Sequence, residues 1–156
     1  MRKKRLTGSA ISLASICLLL SSCTGSNRNM QLGVHDARLM PCPSSPNCFS
    51  SDDADPDHQT HPFLLAIPAA DAWNVARSLV SELPRATIVT ETEDYLHAEC
   101  RSAVFGFVDD LELHLRPAEK MIAVRSAAQV GYSDFGVNRK RIEELRTQLK
   151  QQCTLR

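Results

Sequence analysis

The segments DYLHAECRSAV (residues 94–104), DLELHLR (110–116) and MIAVRSA (121–127) decide the fold of this chain. Apolar and polar side chains alternate along each of them, which is typical of β-strands with one buried face. Only a few residues separate consecutive strands, and such short connections favour antiparallel neighbours. We therefore predict that the three segments form an antiparallel meander.

Elements on either side of the meander complete the architecture. Residues 85–91 predict another strand before it, and residues 63–67 predict a further one. Apolar residues at helical spacing predict one helix over residues 69–83, stopped by Pro84, and a second over residues 138–151. The pattern predicts a two-layer α+β sandwich in residues 62–156, with an antiparallel sheet of four to five strands and two flanking helices.

The alternation also assigns the two faces of the sheet. Leu96, Leu111 and Leu113 lie on an apolar face, which the helices are expected to cover. The opposite face carries charged residues and histidines. We expect that polar face to be open to solvent or to a ligand.

Four side chains of the polar face form a candidate metal site. In a hairpin centred near residues 105–106, His97 faces His114, and Glu99 faces Glu112. Two facing glutamates disfavour strand pairing unless a positive charge lies between them. Imidazole and carboxylate groups suit zinc or iron, so a divalent metal is a candidate cofactor. A charge from Arg125, or a plain solvated sheet face, explains the same pattern without a metal.

Residues 125–141 run from a strand through a glycine-bearing loop into a helix that begins with three basic residues. First turns of helices normally favour acidic side chains, because the helix dipole is positive there. The basic residues therefore indicate a negatively charged partner, either an anionic ligand or the carboxylates of an internal Arg–Asp network. The candidate ligand-binding residues are Asp109, Asp110, Arg125, Ser126, Asp134, Asn138, Arg139 and Arg141.

The first 23 residues have the pattern of an exported signal segment. Residues 1–5 carry four positive charges, residues 10–20 are apolar apart from two serines, and LSSC follows at 20–23. LSSC resembles the lipobox of bacterial lipoproteins. We predict a signal peptide over residues 1–22 and attachment of acyl chains such as palmitate at Cys23. The residue after Cys23 is Thr24 and not Asp, which by the usual sorting pattern of lipoproteins favours an outer-membrane anchor facing the periplasm. The alternative is an ordinary secretory signal with an incidental cysteine.

Cleavage there changes the charge of the chain. Four basic residues leave with the signal, so 18 basic residues fall to 14 against 18 acidic ones, and the formal charge moves from zero to minus four. A mildly acidic protein lacks the basic footprint of nucleic-acid binding, so no nucleic acid is expected as a partner. The remaining residues, about 130, suffice for one domain.

Four cysteines remain beyond residue 23. Cys42 and Cys48 flank the turn-forming segment PSSPN within a lipidated tether and loop region of residues 23–61, and in an oxidising periplasm they should form a disulfide. A redox pair is the alternative, but their spacing is not that of Cys-x-x-Cys enzymes. Cys100 lies on the predicted apolar face and Cys153 near the chain end. The sequence leaves open whether these two pair.

Four ordered motifs carry a resemblance to a known family. They are CPSSPNCFSS (42–51), YLHAE (95–99), FGFVDD (105–110) and the run from Arg125 to Arg141 that ends in GVNRKR. Together they resemble the bacterial and plastid proteins grouped as domain of unknown function 1499. The resemblance implies no established reaction. Where the family usually has Arg-Ser-Ala-Ser-Arg, this chain has RSAAQ at residues 125–129, without the second hydroxyl and the second guanidinium.

These observations favour a membrane-tethered, periplasm-facing binding or interaction module. Its expected partners are the membrane, through the N-terminal lipid, and an anionic small molecule or another envelope protein. The competing interpretation is a hydrolase that uses acidic residues or a metal on the polar face, and a third is a purely structural envelope protein. No spacing ties a nucleophile to a base and an orienting group, so no catalytic residues are predicted.

Overall fold

A computed structural model describes residues 31–156. The predicted signal segment and Cys23 lie outside the described residues. The described chain forms a two-stranded hairpin, a six-stranded antiparallel sheet and two α-helices. In chain order the elements are β1 (Val34–His35), β2 (Arg38–Leu39), β3 (Cys48–Ser50), β4 (Phe63–Leu64), α1 (Ala69–Glu82), β5 (Ala86–Glu91), β6 (Tyr95–Arg101), β7 (Val108–Arg116), β8 (Met121–Ala128) and α2 (Val137–Gln151).

The predicted fold class is confirmed. Strands β5 to β8 and both helices lie where the hydrophobic periodicity places them, to within a few residues. The main sheet has the order β3-β8-β7-β6-β5, and β4 pairs separately with β8. The sheet thus has six strands where four to five were predicted. The extra strand is β3, which has three residues, all buried, and therefore shows no alternation.

The hairpin β6–β7 has a different register from the predicted one. His97 pairs with Glu112, and Glu99 pairs with Asp110. The expected pairs of His97 with His114 and of Glu99 with Glu112 are therefore wrong by two residues. The reason is the connection, because residues 102–107 form a wide loop in place of a turn centred at 105–106.

Both helices pack on the apolar face of the sheet. Helix α1 buries Trp73, Val80 and three neighbours at helical spacing, while α2 buries Ile142, Leu145 and Leu149. Together with the leucines of β6 and β7, they form one continuous hydrophobic cluster. Residues 31–156 therefore enclose a complete core of their own, as a chain that folds independently requires.

The N-terminal arm, residues 31–61, packs over the polar face. The backbone N–H of Gly33 donates to the Glu112 carboxylate at 2.7 Å, and the side chain of Leu39 is 3% exposed. Asp52, also in the arm, accepts from the guanidinium of Arg116 on β7. Glu112 and Arg125 are fully buried as a result. The expectation of an open polar face is therefore wrong.

The predicted disulfide is present between Cys42 and Cys48, whose Cα atoms are 5.6 Å apart. Cys100 is a buried free thiol and Cys153 an exposed one, so these two do not pair. Within residues 31–156, neither helix has the length and apolar character needed to cross a bilayer.

Replacing Cys42 and Cys48 together by Ser should lower the free energy of unfolding by about 2 kcal/mol, because the unfolded chain regains the entropy of a short closed loop. Urea unfolding followed by circular dichroism measures the change. The matched control is Cys153→Ser, which removes an exposed unpaired thiol and should leave the free energy of unfolding unchanged. No loss in the double variant, or an equal loss in the control, would contradict a stabilising bridge.

Candidate functional site

A buried ion pair occupies the centre of the polar face. The Arg125 guanidinium donates through Nη1 to Glu112 Oε2 at 2.7 Å, and both side chains are completely buried. The other carboxylate oxygen of Glu112 accepts from the Tyr95 hydroxyl at 2.8 Å and from Gly33 of the arm. Burial and the Glu112 carboxylate raise the pKa of Tyr95, so its hydroxyl stays protonated and keeps donating. Nε and Nη2 of Arg125 have no partner among the described residues.

Polar side chains on either side of this ion pair also have hydrogen-bond partners within the fold. The ring of His97 contacts Asp110 at 2.8 Å, and Gln129 donates to the same carboxylate at 3.0 Å. Gln129 stands where the family pattern has an arginine, and it still supplies Asp110 with a donor. At the other end of β7, His114 accepts from Arg116 at 3.2 Å. Over β7 and β8 the polar face is thus closed, and its charged side chains are paired within the fold.

The proposed metal ligands do not converge. His97 is engaged by Asp110, and Glu112 is engaged by Arg125. Glu99 pairs with Arg101 at the surface, and His114 lies beside the positively charged Arg116. No three His, Cys, Asp or Glu side chains within residues 31–156 are placed to hold a metal ion together. Glu99 and Glu112 do not face each other in this register, and Arg125, the positive charge named as the alternative to a metal, pairs with Glu112 alone.

A second polar network joins the loop between β8 and α2 to the sheet. The Asn138 side-chain oxygen accepts from Ser126 and from Arg141, each at 2.6 Å. The other Nη of Arg141 donates to Asp109 at 2.7 Å. Burial raises the pKa of Asp109, and its hydrogen bond to Arg141 offsets only part of that rise. These contacts form the internal Arg–Asp network that was the alternative to an anionic ligand. In it, the carboxylate of Asp109 binds Arg141, where an anionic ligand was expected to bind.

The loop between Cys42 and Cys48 and the start of α2 belong to the same network. Asn47, from the turn between the two disulfide cysteines, accepts from the Asn138 side chain and donates to the Gly131 carbonyl at 2.7 Å. Asp134 accepts from the backbone N–H groups of Gly136 and Asn138 and so caps α2. Three of the motifs that carried the family resemblance therefore meet at one place.

The other predicted ligand residues have structural partners. The guanidinium of Arg139 stacks 4.1 Å from the centre of the Phe49 ring. Asp110 is held by His97 and Gln129, and Arg125 by Glu112. The structure thus places the predicted residues in two separate networks, one under the arm and one at the start of α2. Neither presents a free cluster of charge to solvent.

An apolar cleft lies beside the second network. It is formed by the β6–β7 loop, residues 102–107, and the β8–α2 loop, residues 129–136, which meet at the same end of the sheet. We call it the loop cleft, and its volume is about 380 Å³. Nine large hydrophobic side chains are exposed within residues 31–156, and all but Leu64 and Val89 lie in or beside these loops. The seven are Val104, Phe105, Phe107, Val130, Tyr132, Phe135 and Val137.

Such clustering is typical of interaction surfaces, because exposed apolar residues without a role are usually scattered singly. The ring of Phe135 is 98% exposed, and the rings of Phe105 and Phe107 lie 5.7 Å apart. The sequence prediction missed these residues. The available signal was the presence of phenylalanines in glycine-containing loops, where polar turn residues are usual.

The fold and this site define an α+β domain with an internally paired polar face and an open apolar cleft at one sheet end. The sequence profile of the family described as "Protein of unknown function (DUF1499)" matches residues 38–149, and the chain belongs to that family. No curated protein and no solved structure matches the chain. The match begins at β2 and ends within α2, so it covers both cleft loops and, apart from Gly33, both networks.

Arg125→Met should lower the free energy of unfolding by about 3–5 kcal/mol, because Glu112 is then buried without its counter-charge. Adding Glu112→Gln should restore part of that loss, since no buried charge remains unpaired. Urea unfolding of the two single variants and the double variant measures the coupling. Strictly additive losses would show that the pair does not act as a unit.

The stability of the domain should fall on acidification through His114. Burial and the nearby Arg116 lower the pKa of His114, against the weaker opposing effect of Asp94 and Asp52. The unfolded state therefore binds a proton that the folded state resists, so the free energy of unfolding decreases as pH falls below the ordinary histidine value of 6.5.

Urea unfolding at a series of pH values tests this, with His114→Gln as the variant and the exposed His61→Gln as the control. The pH slope should be flatter in His114→Gln and unchanged in His61→Gln. Equal slopes in the wild type and in His114→Gln would contradict the assignment.

Proposed function

We propose that this protein is an envelope lipoprotein whose domain binds an apolar group in the loop cleft. The observation that carries the proposal is the concentration of exposed apolar side chains in two loops at one sheet end. A ring as exposed as that of Phe135 forgoes about 1.5–3 kcal/mol of burial free energy, which a ligand or partner would recover.

The hydrogen bonds that hold one wall of the cleft support a binding role. Arg141, Asp109 and Asn138 tie the start of α2 to the sheet, and Asn47 holds the backbone of the β8–α2 loop. A preorganised wall costs less entropy on binding than a mobile loop does. The buried network thus has a positioning role, while the cleft makes the contact.

The attachment to the envelope is proposed from the sequence. A basic start, a short apolar stretch and the LSSC box precede the described domain, and the Cys42–Cys48 bridge suits an oxidising compartment. Several acyl chains on one cysteine anchor a protein durably, since each buried methylene contributes about 0.8 kcal/mol. The hydrolase alternative gains no comparable support, because the acidic side chains of the polar face are engaged within the fold.

Attachment of lipid is tested by growing cells that express the full chain with radiolabelled palmitate. The wild-type protein should carry the label and partition with the membrane fraction. Cys23→Ser should lose both properties, whereas the control Cys153→Ser should retain them. An unlabelled wild-type chain would overturn the lipoprotein assignment.

Binding in the cleft is tested with the apolar fluorophore Nile red on the chain of residues 24–156. Its fluorescence should rise on binding, and Phe135→Ser should weaken that binding about ten-fold, because one ring no longer covers the dye. Val89→Ser removes an exposed apolar side chain outside the cleft and serves as the control. Equal binding by wild type and Phe135→Ser would place the dye elsewhere and overturn this use of the cleft.

A further inference from the structure

A second hollow adjoins the loop cleft and has the opposite character. We call it the basic pocket, and its volume is about 320 Å³. The two hollows share the wall formed by Ser102, Ala103, Asp109 and Val137. A single ligand of moderate length can therefore occupy both. Whatever does so meets an apolar surface on one side and a charged one on the other.

The basic pocket carries an excess of positive charge. Four cationic side chains line it against two acidic ones, Asp109 and Glu144, and one of the four, Arg101, is paired with Glu99 outside the pocket. Asp109 is already neutralised by Arg141, and the Lys140–Glu144 contact is a long 3.6 Å between exposed side chains. Exposed pairs of that kind contribute little, so Lys140 stays available to another anion. The four cationic residues are Arg85, Arg101, Lys140 and Arg141.

Arg85 is the clearest free cation of the pocket. Its Nε donates to the backbone carbonyl of Arg101 at 3.1 Å, and no carboxylate pairs with it among residues 31–156. The guanidinium is thereby oriented without being neutralised. A phosphate group is well suited to such a donor, because a guanidinium can bind phosphate oxygens in a bidentate manner.

The geometry points to an anionic phospholipid as the occupant. Its acyl region would lie against the rings of Phe105, Phe107 and Phe135, and its phosphate would lie between Arg85 and Lys140. Neighbouring apolar and basic surfaces match the two parts of such a lipid, whereas an uncharged apolar ligand would leave the basic pocket unused. The inference rests on the proposed function, since it names the ligand class of the proposed cleft.

The position of the anchor favours a lipid in the bilayer as the source. The ten residues from Thr24 to Gly33 connect Cys23 to the arm. Fully extended, they reach about 33–36 Å, which is about the diameter of a small domain. A chain tethered by Cys23 can therefore bring this end of the sheet onto the bilayer surface. The domain would then contact the membrane at two places, the lipid anchor and the loop cleft.

Co-sedimentation with vesicles tests the inference, with the unlipidated chain of residues 24–156 so that no anchor contributes. The two vesicle types are phosphatidylcholine alone and equal parts of phosphatidylcholine and phosphatidylglycerol. We expect the wild type to bind the anionic vesicles more tightly and to lose that preference at high salt, because salt screens the charges.

Two double variants separate the apolar and the charged contributions. Phe105→Ser with Phe135→Ser should weaken binding to the anionic vesicles by about ten-fold or more, since two rings leave the interface. Arg85→Gln with Lys140→Gln should weaken that binding by about five-fold for each charge removed and should leave binding to neutral vesicles unchanged.

The controls are Val89→Ser, an exposed apolar side chain on β5, and Lys150→Gln, an exposed cation at the other end of α2. Both should bind vesicles like the wild type. Circular dichroism and thermal unfolding verify that every variant is folded.

Three outcomes would overturn the inference. The first is that the wild type binds neither type of vesicle. The second is that both double variants bind the vesicles as tightly as the wild type does. The third is self-association that the phenylalanine variants abolish, which would make the surface an interface between copies of the chain. If Phe135→Ser weakens Nile red binding but the wild type does not bind vesicles, the proposed binding site in the loop cleft is retained and only the lipid ligand is wrong.

Discussion

The buried pair of Arg125 and Glu112 is the interaction on which the rest of the molecule depends. It lies where β7 and β8 face each other, with no exposure to solvent. A charge in such a place must be neutralised locally, because its desolvation costs several kcal/mol. Glu112 also accepts hydrogen bonds from the Tyr95 hydroxyl and the Gly33 backbone N–H. The same carboxylate thus neutralises the arginine and fastens the arm over the sheet.

Because the arm closes the polar face over β7 and β8, the candidate binding surface is the loop cleft at the end of the sheet. Once the arm covers β7 and β8, the charged side chains of that face have partners within the protein. The loops at residues 102–107 and 129–136 keep their apolar side chains in solvent. The network of Asp109, Asn138 and Arg141 lies between these regions and holds the second loop in place. The charged side chains of β7 and β8 are therefore satisfied within the domain, and the cleft loops keep an exposed apolar surface.

Alternation predicted β5 to β8, and helical spacing of apolar residues predicted both helices, because each of these elements has one buried face and a clear period. Alternation identifies a polar face but cannot show what covers it, since the arm that does so has only two- and three-residue strands. The register of β6 and β7 was missed because the loop length cannot be deduced from Phe105 and Gly106 alone. Of the three basic residues at the start of α2, Arg141 is paired with the carboxylate of Asp109, which was one of the two partners named from the sequence.

Hydrogen–deuterium exchange on the chain of residues 24–156, with and without phosphatidylglycerol vesicles, tests the division between a closed face and an open cleft most directly. The account predicts slow exchange in β7 and β8 in both conditions, and new protection confined to the two cleft loops and the neighbouring segments that carry Arg85 and Lys140. Fast exchange of β7 and β8 without vesicles, or new protection along the arm in place of the cleft loops, would show that the polar face is not the closed side of the domain. That result would contradict the account.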